Sequence, residues 1–291
     1  MPKNLYINNG KVGNVYWNGA KAKKVFFNNV LVYSGALEFS YTGAYTVDGS
    51  LDGNFVIRFQ TSGTLTIADH GDTGGLYDLF AVGGGGAGNH YNDSHYSAGG
   101  GGGGYTKTVK NSSISAGVGI QITVGAGGAV VNSDNPVQGG TSSILSCNAP
   151  GGYGGRGGID AIKGTDGGSG GGGSFYNISP EYGGGSNGSD GKGFFASGKG
   201  QGSTTAEFGE PGNLLYAGGG GGGAKTSGVS GSNGGEGGGG NGGTTGVYNK
   251  TSGAPGVANT GGGGGGSGAT VYYTNQKAIG GSGIVCIRNH R

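Results

Sequence analysis

Few residues in this 291-residue chain have types and spacings that could support chemistry. His90 and His95 flank Asp93, and imidazoles beside a carboxylate form a donor set that could hold a metal ion. Their five-residue separation does not define a metal site, so we interpret them as exposed loop residues. Histidine and aspartate also occur together in 68–75 (ADHGDTGG), where the glycines predict a turn.

Other motifs give little support for catalysis. Lys225 lies in GGAKT, which superficially resembles a phosphate-binding loop but lacks the adjacent Gly-Lys and a strand–loop–helix context. No G-x-S-x-G motif follows a credible strand and precedes a helix. The 15 acidic residues do not cluster, although paired carboxylates remain an open alternative. We therefore predict that the protein is not an enzyme, with no catalytic residue, metal site or cofactor.

The charge pattern argues against nucleic-acid and membrane partners. The chain has 17 basic and 15 acidic residues, a net charge of +2, and no basic stripe. No apolar stretch approaches the roughly 20 residues of a membrane span. The start, MPKN, lacks the apolar core of a signal peptide. Cys147 and Cys286 could pair, but the apolar residues beside each favour two buried thiols.

Glycine is the most informative residue type, with 82 among 291 residues. Such a content is typical of disordered chains. The glycines, however, are grouped into pure runs, and ten Phe, sixteen Tyr and one Trp are too many aromatics for a solvated tether. The region also opens, continues and closes on strand-like segments at 76–82, 120–124 and 283–288. We therefore predict an ordered region in which the glycine backbone itself is the packing material.

Polyglycine can form an extended helix with three residues per turn and no internal hydrogen bonds. Its N–H and C=O groups point sideways, so neighbouring helices can bond to one another and satisfy the backbone. A run of six residues spans roughly 19 Å. Eight or so runs would form a slab with loops at both ends. Tyr153 and Arg156 in GGYGGRGG are three residues apart, which places both side chains on one outer face.

The inserts between the runs are rich in Tyr, Asn, Ser, Thr and His, a composition suited to recognition. They span 89–98, 174–182, 197–217, 244–260 and 269–279. The predicted contact residues are His90, Tyr91, Asn92, His95, Tyr96, Phe175, Tyr176, Tyr182, Tyr216, Tyr248, Tyr272 and Tyr273. The alternative is that these tyrosines cap the ends of the slab.

Residues 1–35 repeat every ten positions, with an aliphatic–aromatic–apolar–Asn motif that leads into a turn. They predict a meander of short antiparallel strands, with turns at Asn9-Gly10, Asn18-Gly19 and Asn28-Asn29 and a last strand at 30–33. A 35-residue meander is marginal alone, so we expect it to pack on a partner chain or on the next domain. It is either an attachment module or a small β-subdomain without a binding role. The attachment residues would be Tyr6, Tyr16, Trp17, Phe26 and Phe27.

Residues 36–80 predict a second β section, and 81–291 form the glycine-rich domain. Strand candidates lie at 37–41, 45–47, 55–60, 64–68, 106–109, 114–124 and 271–273. No segment has a helical apolar stripe. The predicted fold is all-β plus irregular structure: a β-meander, a β section and a packed polyglycine II helix sandwich with long recognition loops, without an α-helix of note.

Four segments carry a resemblance to a known arrangement. They are 81–86 (AVGGGG), 122–128 (ITVGAGG), 280–288 (GGSGIVCIR) and 23–33 (KKVFFNNVLVY). Together with the alternation of runs and inserts, they resemble the glycine-rich distal adhesins at the tips of tailed-phage tail fibres and related tail proteins. The resemblance covers 76–291 well and 1–75 only loosely.

The resemblance implies a polyglycine sandwich whose loops contact a host surface receptor, either an outer-membrane protein or a surface glycan. It also implies a tail-fibre or tail-tip protein as the partner, location in the virion, and one copy on a trimeric fibre or a homotrimer. An alternative is a structural cap without receptor contact. A third hypothesis, an ice-binding protein, would need a flat face of small residues, and the bulky inserts argue against it.

Overall fold

The computed structural model describes the chain in segments. These are residues 6–7, 10–11, 16–17, 20–21, 24–27, 30–90, 97–132, 135–157, 164–174, 182–193, 198–225, 229–245, 251–268 and 278–289. For residues up to 34, for 130–136 and for Asp72, only the backbone is described. The chain forms two compact units. Unit 1 comprises residues 1–79, 109–121 and 286–291, and unit 2 comprises 80–108 and 122–285.

The first 34 residues hold three separate antiparallel hairpins, each of two strands. The strands are β1 Tyr6–Ile7 with β2 Gly10–Lys11, β3 Tyr16–Trp17 with β4 Ala20–Lys21, and β5 Lys24–Phe27 with β6 Val30–Ser34. The described strands are short and antiparallel, as predicted. The described segments show no pairing from one hairpin to the next, and the β-meander module at 1–35 stays a prediction. The pairing of Ile7 with Gly10 also moves the first turn one residue earlier than predicted.

The remaining strands confirm the all-β prediction. They are β7 Glu38–Tyr41, β8 Tyr45–Gly49, β9 Phe55–Phe59, β10 Gly63–Asp69, β11 Leu76–Val82, β12 Thr106–Ser113, β13 Gly119–Thr123, β14 Val130–Asn132, β15 Asn135–Pro136, β16 Ser142–Ile144, β17 Cys147–Ala149 and β18 Ile284–Asn289. Short 3₁₀ turns occur at Gly71–Thr73 and Glu207–Gly209. The described part of the chain has no α-helix and so no helix that could span a membrane.

One sheet has the strand order β12-β11-β18-β9-β8 and another the order β17-β16-β13-β10-β7. In unit 1, alternation places Phe55, Ile57 and Phe59 of β9 in the core, where all three are fully buried. The antiparallel register pairs Ile57 with Val47 of the edge strand β8, whose residues are all exposed. Period-two patterning thus explains this sheet.

The strand predicted across 114–124 is interrupted. After Ile114 the chain turns, and Gly117 adopts a positive φ of 75°. The strand β13 then begins at Gly119, where Ile120 and Ile122 alternate with exposed neighbours. A turn residue with positive φ favours glycine, and this explains the break.

Glycine runs in unit 2 form the extended helices with three residues per turn that the sequence predicts. In run 83–89, N–H groups three residues apart donate to the same neighbouring run. The N–H groups of Gly83, Gly86 and Asn89 donate to the carbonyls of Tyr105, Gly102 and Gly99, respectively. In the same way, Gly84 and Ala87 donate to Gly140 and Val137, and Gly85 and Gly88 donate to Gly281 and Ala278. This period of three is that of the polyglycine II helix. The hydrogen bonds run between helices and not within them.

Carbonyl groups of run 83–89 accept hydrogen bonds from N–H groups of three further segments: residues 152–155, residues 264–267 and Gly128. The run is therefore bonded to six neighbours, as in a hexagonal lattice. Run 98–104 is surrounded in the same way, by 83–89, 150–156, 165–168, 169–172, 217–223 and 261–267. A Cβ added at any glycine of 100–104 would collide with backbone atoms of a neighbouring run. The lattice therefore requires glycine because backbones approach too closely for a side chain.

Candidate functional site

One end of the polyglycine lattice carries the flanks of the tyrosine-rich segments. Residues Asn89, Ala98, Ser174, Ala224 and Ser267 lie there, and we call this part of unit 2 the insert-bearing end. Ala98 N–H donates to Ser267 O, and Ser267 N–H donates to Asn89 O, each at 3.0 Å. The Ser174 hydroxyl donates to Ser97 O at 3.1 Å. Flanks of segments far apart in sequence thus meet at one end.

Further contacts extend this end. Ala224 N–H donates to Gly243 O at 3.0 Å, and the Thr245 hydroxyl donates to Ala224 O at 2.5 Å. Gly88 N–H donates to Ala278 O at 2.8 Å. These bonds place the beginning of insert 244–260 and the end of insert 269–279 at the insert-bearing end. The anchoring side chains of Asn89, Ser174 and Thr245 are buried and hydrogen-bonded, so they form a rigid polar base.

At the opposite end of the lattice, the structure describes the turns that join neighbouring runs. There Ala217 N–H donates to Thr260 O at 2.8 Å, and Gly261 N–H donates to Ser282 O at 2.8 Å. Residues 236–238 and 258–261 form short turns at this end. The described insert flanks divide between the two ends. Both flanks of 89–98, 174–182 and 269–279 and the beginning of 244–260 lie at the insert-bearing end, whereas Ala217 and Thr260, which end the inserts 197–217 and 244–260, lie at the opposite end.

Two predicted contact residues at the insert-bearing end are described. His90 follows Asn89, Tyr182 accepts a hydrogen bond at its carbonyl from Gly222 N–H at 3.3 Å, and both residues are half-buried. Most of the predicted contact residues lie outside the described segments: Tyr91, Asn92, His95, Tyr96, Phe175, Tyr176, Tyr248, Tyr272 and Tyr273. For the attachment residues Tyr6, Tyr16, Trp17, Phe26 and Phe27, the structure gives only the strand pairing. Their roles stay predictions.

Tyr216 is a packing residue. Its side chain is only 5% exposed, and its ring lies 5.6 Å from that of Phe80. Phe208 packs on the same Phe80 ring at 5.7 Å, and the Tyr216 hydroxyl donates to the buried carboxylate of Glu207 at 3.0 Å. The described part of the predicted insert 197–217 thus holds a small aromatic core. This burial argues against the predicted contact role of Tyr216.

An exposed row crosses four adjacent runs on the side of the lattice. Tyr153 N–H donates to Asp166 O at 3.1 Å, Lys199 N–H donates to the Asp166 carboxylate at 2.8 Å, and the Gln138 amide donates to Gly151 O at 3.0 Å. Tyr153 is 52% exposed, and Arg156 is exposed one helical turn further along the same run. The predicted shared face of Tyr153 and Arg156 is confirmed. The prediction missed Gln138, Asp166 and Lys199, although each interrupts a glycine-rich stretch.

The described residues contain no group of three or more His, Cys, Asp or Glu with the geometry that a metal ion requires. The segment with Asp69 and His70 forms the predicted turn, in which Gly71 N–H donates to the Asp69 carboxylate at 3.0 Å. His70 Nδ1 lies 3.0 Å from the hydroxyl of the buried Tyr77. This histidine therefore has a packing role.

Comparison with known families agrees with the lattice. A family model described as a glycine-rich domain matches residues 60–290. The chain belongs to this glycine-rich domain family. The matched glycine-rich domain covers β10 and β11, the polyglycine runs and β18, and it leaves the N-terminal hairpins outside. No curated protein matches the chain.

Proposed function

We propose that this glycine-rich protein is an adhesin of a tailed bacteriophage that binds a host cell-surface receptor. The observation that carries the proposal is that described flanks of four tyrosine-rich inserts meet at one end of a rigid lattice. Recognition residues commonly lie on loops that a rigid scaffold positions. Tyrosine with small polar residues supplies contact area at low entropic cost.

The lattice is suited to this task because its backbone hydrogen bonds hold the insert flanks in place. Ala98, Ser174 and Ser267 are buried at the base of different inserts. A change of sequence within an insert would leave these contacts intact. The proposed receptor is an outer-membrane protein or a surface glycan of the host bacterium. The proposed location is the distal tail fibre or tail tip of the virion.

The N-terminal hairpins would attach the adhesin to a tail-fibre or tail-tip protein, with one copy on a trimeric fibre or as a homotrimer. Residues 1–35 contain Lys3, Lys11, Lys21, Lys23 and Lys24 and no acidic residue. The register pairs Tyr6 with Lys11 and Tyr16 with Lys21, so the first two hairpins repeat one aromatic–lysine pair. An acidic surface on the fibre protein would complement this charge.

Adsorption competition tests the proposed function. Purified full-length protein is incubated with candidate host strains before challenge with phage that carries the protein. We expect dose-dependent protection of susceptible strains, and no protection by an unrelated protein of similar charge. If no susceptible strain is protected, the adhesin proposal is rejected and a structural tip protein becomes the better account.

A further inference from the structure

The exposed row on the side of the lattice differs from the inserts because rigid backbone bonds position each of its residues. Gln138, Tyr153, Asp166 and Lys199 come from four runs that are neighbours in the lattice. Gly139 N–H donates to Gly152 O at 3.0 Å, Tyr153 N–H to Asp166 O at 3.1 Å, and Gly167 N–H to Lys199 O at 3.0 Å. These bonds set the four residues side by side, at one level across the face.

Polar groups in this row are available to a ligand. One oxygen of the Asp166 carboxylate accepts from Lys199 N–H, and the other makes no hydrogen bond within the described segments. The exposed Tyr153 hydroxyl and the Arg156 guanidinium have no partner there either. Burial raises the pKa of the half-buried Tyr105, and the nearby Asp166 and Tyr153 raise this pKa further. These electrostatic effects indicate that Tyr105, Asp166 and Tyr153 lie close together.

The chemistry of the row fits a sugar. A pyranose ring has C–H faces that stack on an aromatic ring and hydroxyl groups at its rim that need donors and acceptors. Tyr153 offers the exposed ring, while Gln138, Asp166 and Lys199 offer amide, carboxylate and ammonium groups on both sides of it. Because the backbone of each run is fixed by the lattice, little conformational entropy would be lost on binding.

We propose that the row of Gln138, Tyr153, Asp166 and Lys199, with Arg156 one turn along from Tyr153, binds a sugar unit of a host surface glycan. The inference names the receptor class for the proposed adhesin and in that respect rests on the proposed function. It places a receptor contact on the rigid side of the lattice, in addition to the inserts.

The test uses the full-length protein on a printed array of bacterial O-antigen and capsular polysaccharides. We expect the wild-type protein to bind at least one polysaccharide, and Tyr153→Ala to weaken that binding by at least about tenfold. Tyr153→Phe keeps the ring and should retain most of the binding. Asp166→Asn keeps the acceptor for Lys199 N–H but removes the charge, and it should also weaken binding.

A matched control removes side chains from a different exposed ridge. Asn233 and Glu236 are likewise three residues apart and exposed on a polyglycine run, so Asn233→Ala with Glu236→Ala should leave glycan binding unchanged. Wild-type protein that binds none of the polysaccharides would overturn the inference. Equal glycan binding by the wild type and Tyr153→Ala would also overturn the inference. In that case, full adsorption competition by Tyr153→Ala would leave the proposed function standing. Absence of competition by the wild type would reject the proposed function itself.

Discussion

Arg288 donates from Nε and from Nη2 to one carboxylate oxygen of Asp78, at 3.1 and 3.0 Å. The two side chains are 5% and 1% exposed. The other oxygen of Asp78 accepts from the N–H of Asn111, which has a positive φ of 57°. One buried carboxylate thus links β11, β12 and β18 within unit 1.

Removing one partner of this buried ion pair should destabilise the fold strongly. Arg288→Met leaves the Asp78 charge buried without its guanidinium, which costs about 3–5 kcal/mol in the free energy of unfolding. The measurement is urea denaturation followed by circular dichroism. As a control, Asp48→Asn removes the exposed pair with Arg58, at 3.4 Å, and should cost at most about 1 kcal/mol. Similar small losses in both variants would contradict the assigned role of the buried pair.

The lattice predicts opposite outcomes for two glycines of one run. A Cβ at Gly101 would collide with the backbone of Gly86 and Ala87, whereas at Gly99 the nearest atoms lie 3.4 Å away. Gly101→Ala should therefore lower the free energy of unfolding by at least about 1–3 kcal/mol, because the rigid neighbours cannot move aside. Gly99→Ala should be tolerated. Equal unfolding midpoints in urea would show that the runs are not packed as described.

Tyr216 should matter for stability and not for attachment. Tyr216→Phe keeps the ring on Phe80 but removes the hydrogen bond to Glu207, which should cost about 0.5–1.5 kcal/mol of stability. Adsorption competition by the variant should match that of the wild type at a temperature where both are folded. A loss of competition without loss of stability would return Tyr216 to the set of receptor contacts.

The two cysteines are free and buried, as the sequence predicted. Neither thiol should react with a thiol reagent at pH 8 until the protein is unfolded. Burial raises the pKa of Cys147 from 9.0 to about 12. The folded-state pKa lies above the unfolded one, so the thiol's contribution to stability is fully present below pH 9 and is lost as pH rises towards 12.

Cys147→Ala isolates this effect. Between pH 9 and 12 the free energy of unfolding of the wild type should fall more steeply than that of the variant, by up to about 1.4 kcal/mol per pH unit. Only the slopes are compared, since the substitution also changes packing. Tyr77, whose pKa burial raises to about 12, remains in both proteins and contributes equally to both slopes. Parallel curves would contradict the burial of the Cys147 thiol.

Much of the fold could be predicted because its signals are local. Alternation identified β9. The geometry of polyglycine predicted the helical period of three, and the spacing of Tyr153 and Arg156 then predicted their shared exposed face. The strands β16 and β17 were missed because SSI and CNA are short and largely polar. The hairpin register was off by one in the first repeat, because Asn8-Asn9 and Asn9-Gly10 are both acceptable turn sequences.

Neighbour relations in the lattice could not be predicted from the sequence. Glycine has no side chain to specify a partner, so nothing in run 83–89 indicates that 99–105, 137–140 and 278–281 are its acceptors. The gathering of flanks of four inserts at one end follows from those pairings and was not predicted either. Tyr216 resembles the other insert tyrosines in sequence. Its burial depends on Phe80, which lies more than a hundred residues earlier.

We propose that the inserts at the insert-bearing end of the lattice carry host attachment. The most direct measurement is adsorption competition with a full-length variant in which 91–96 is replaced by Gly and Ser residues of equal number. Leu214→Ser, an exposed change at the opposite end of the lattice, is the matched control. We expect the insert variant, folded and as stable as the wild type, to lose protection of susceptible cells, and the control to retain it. Full protection by the insert variant, and by similar replacements of 175–181 and 269–277, would show that the inserts do not carry attachment.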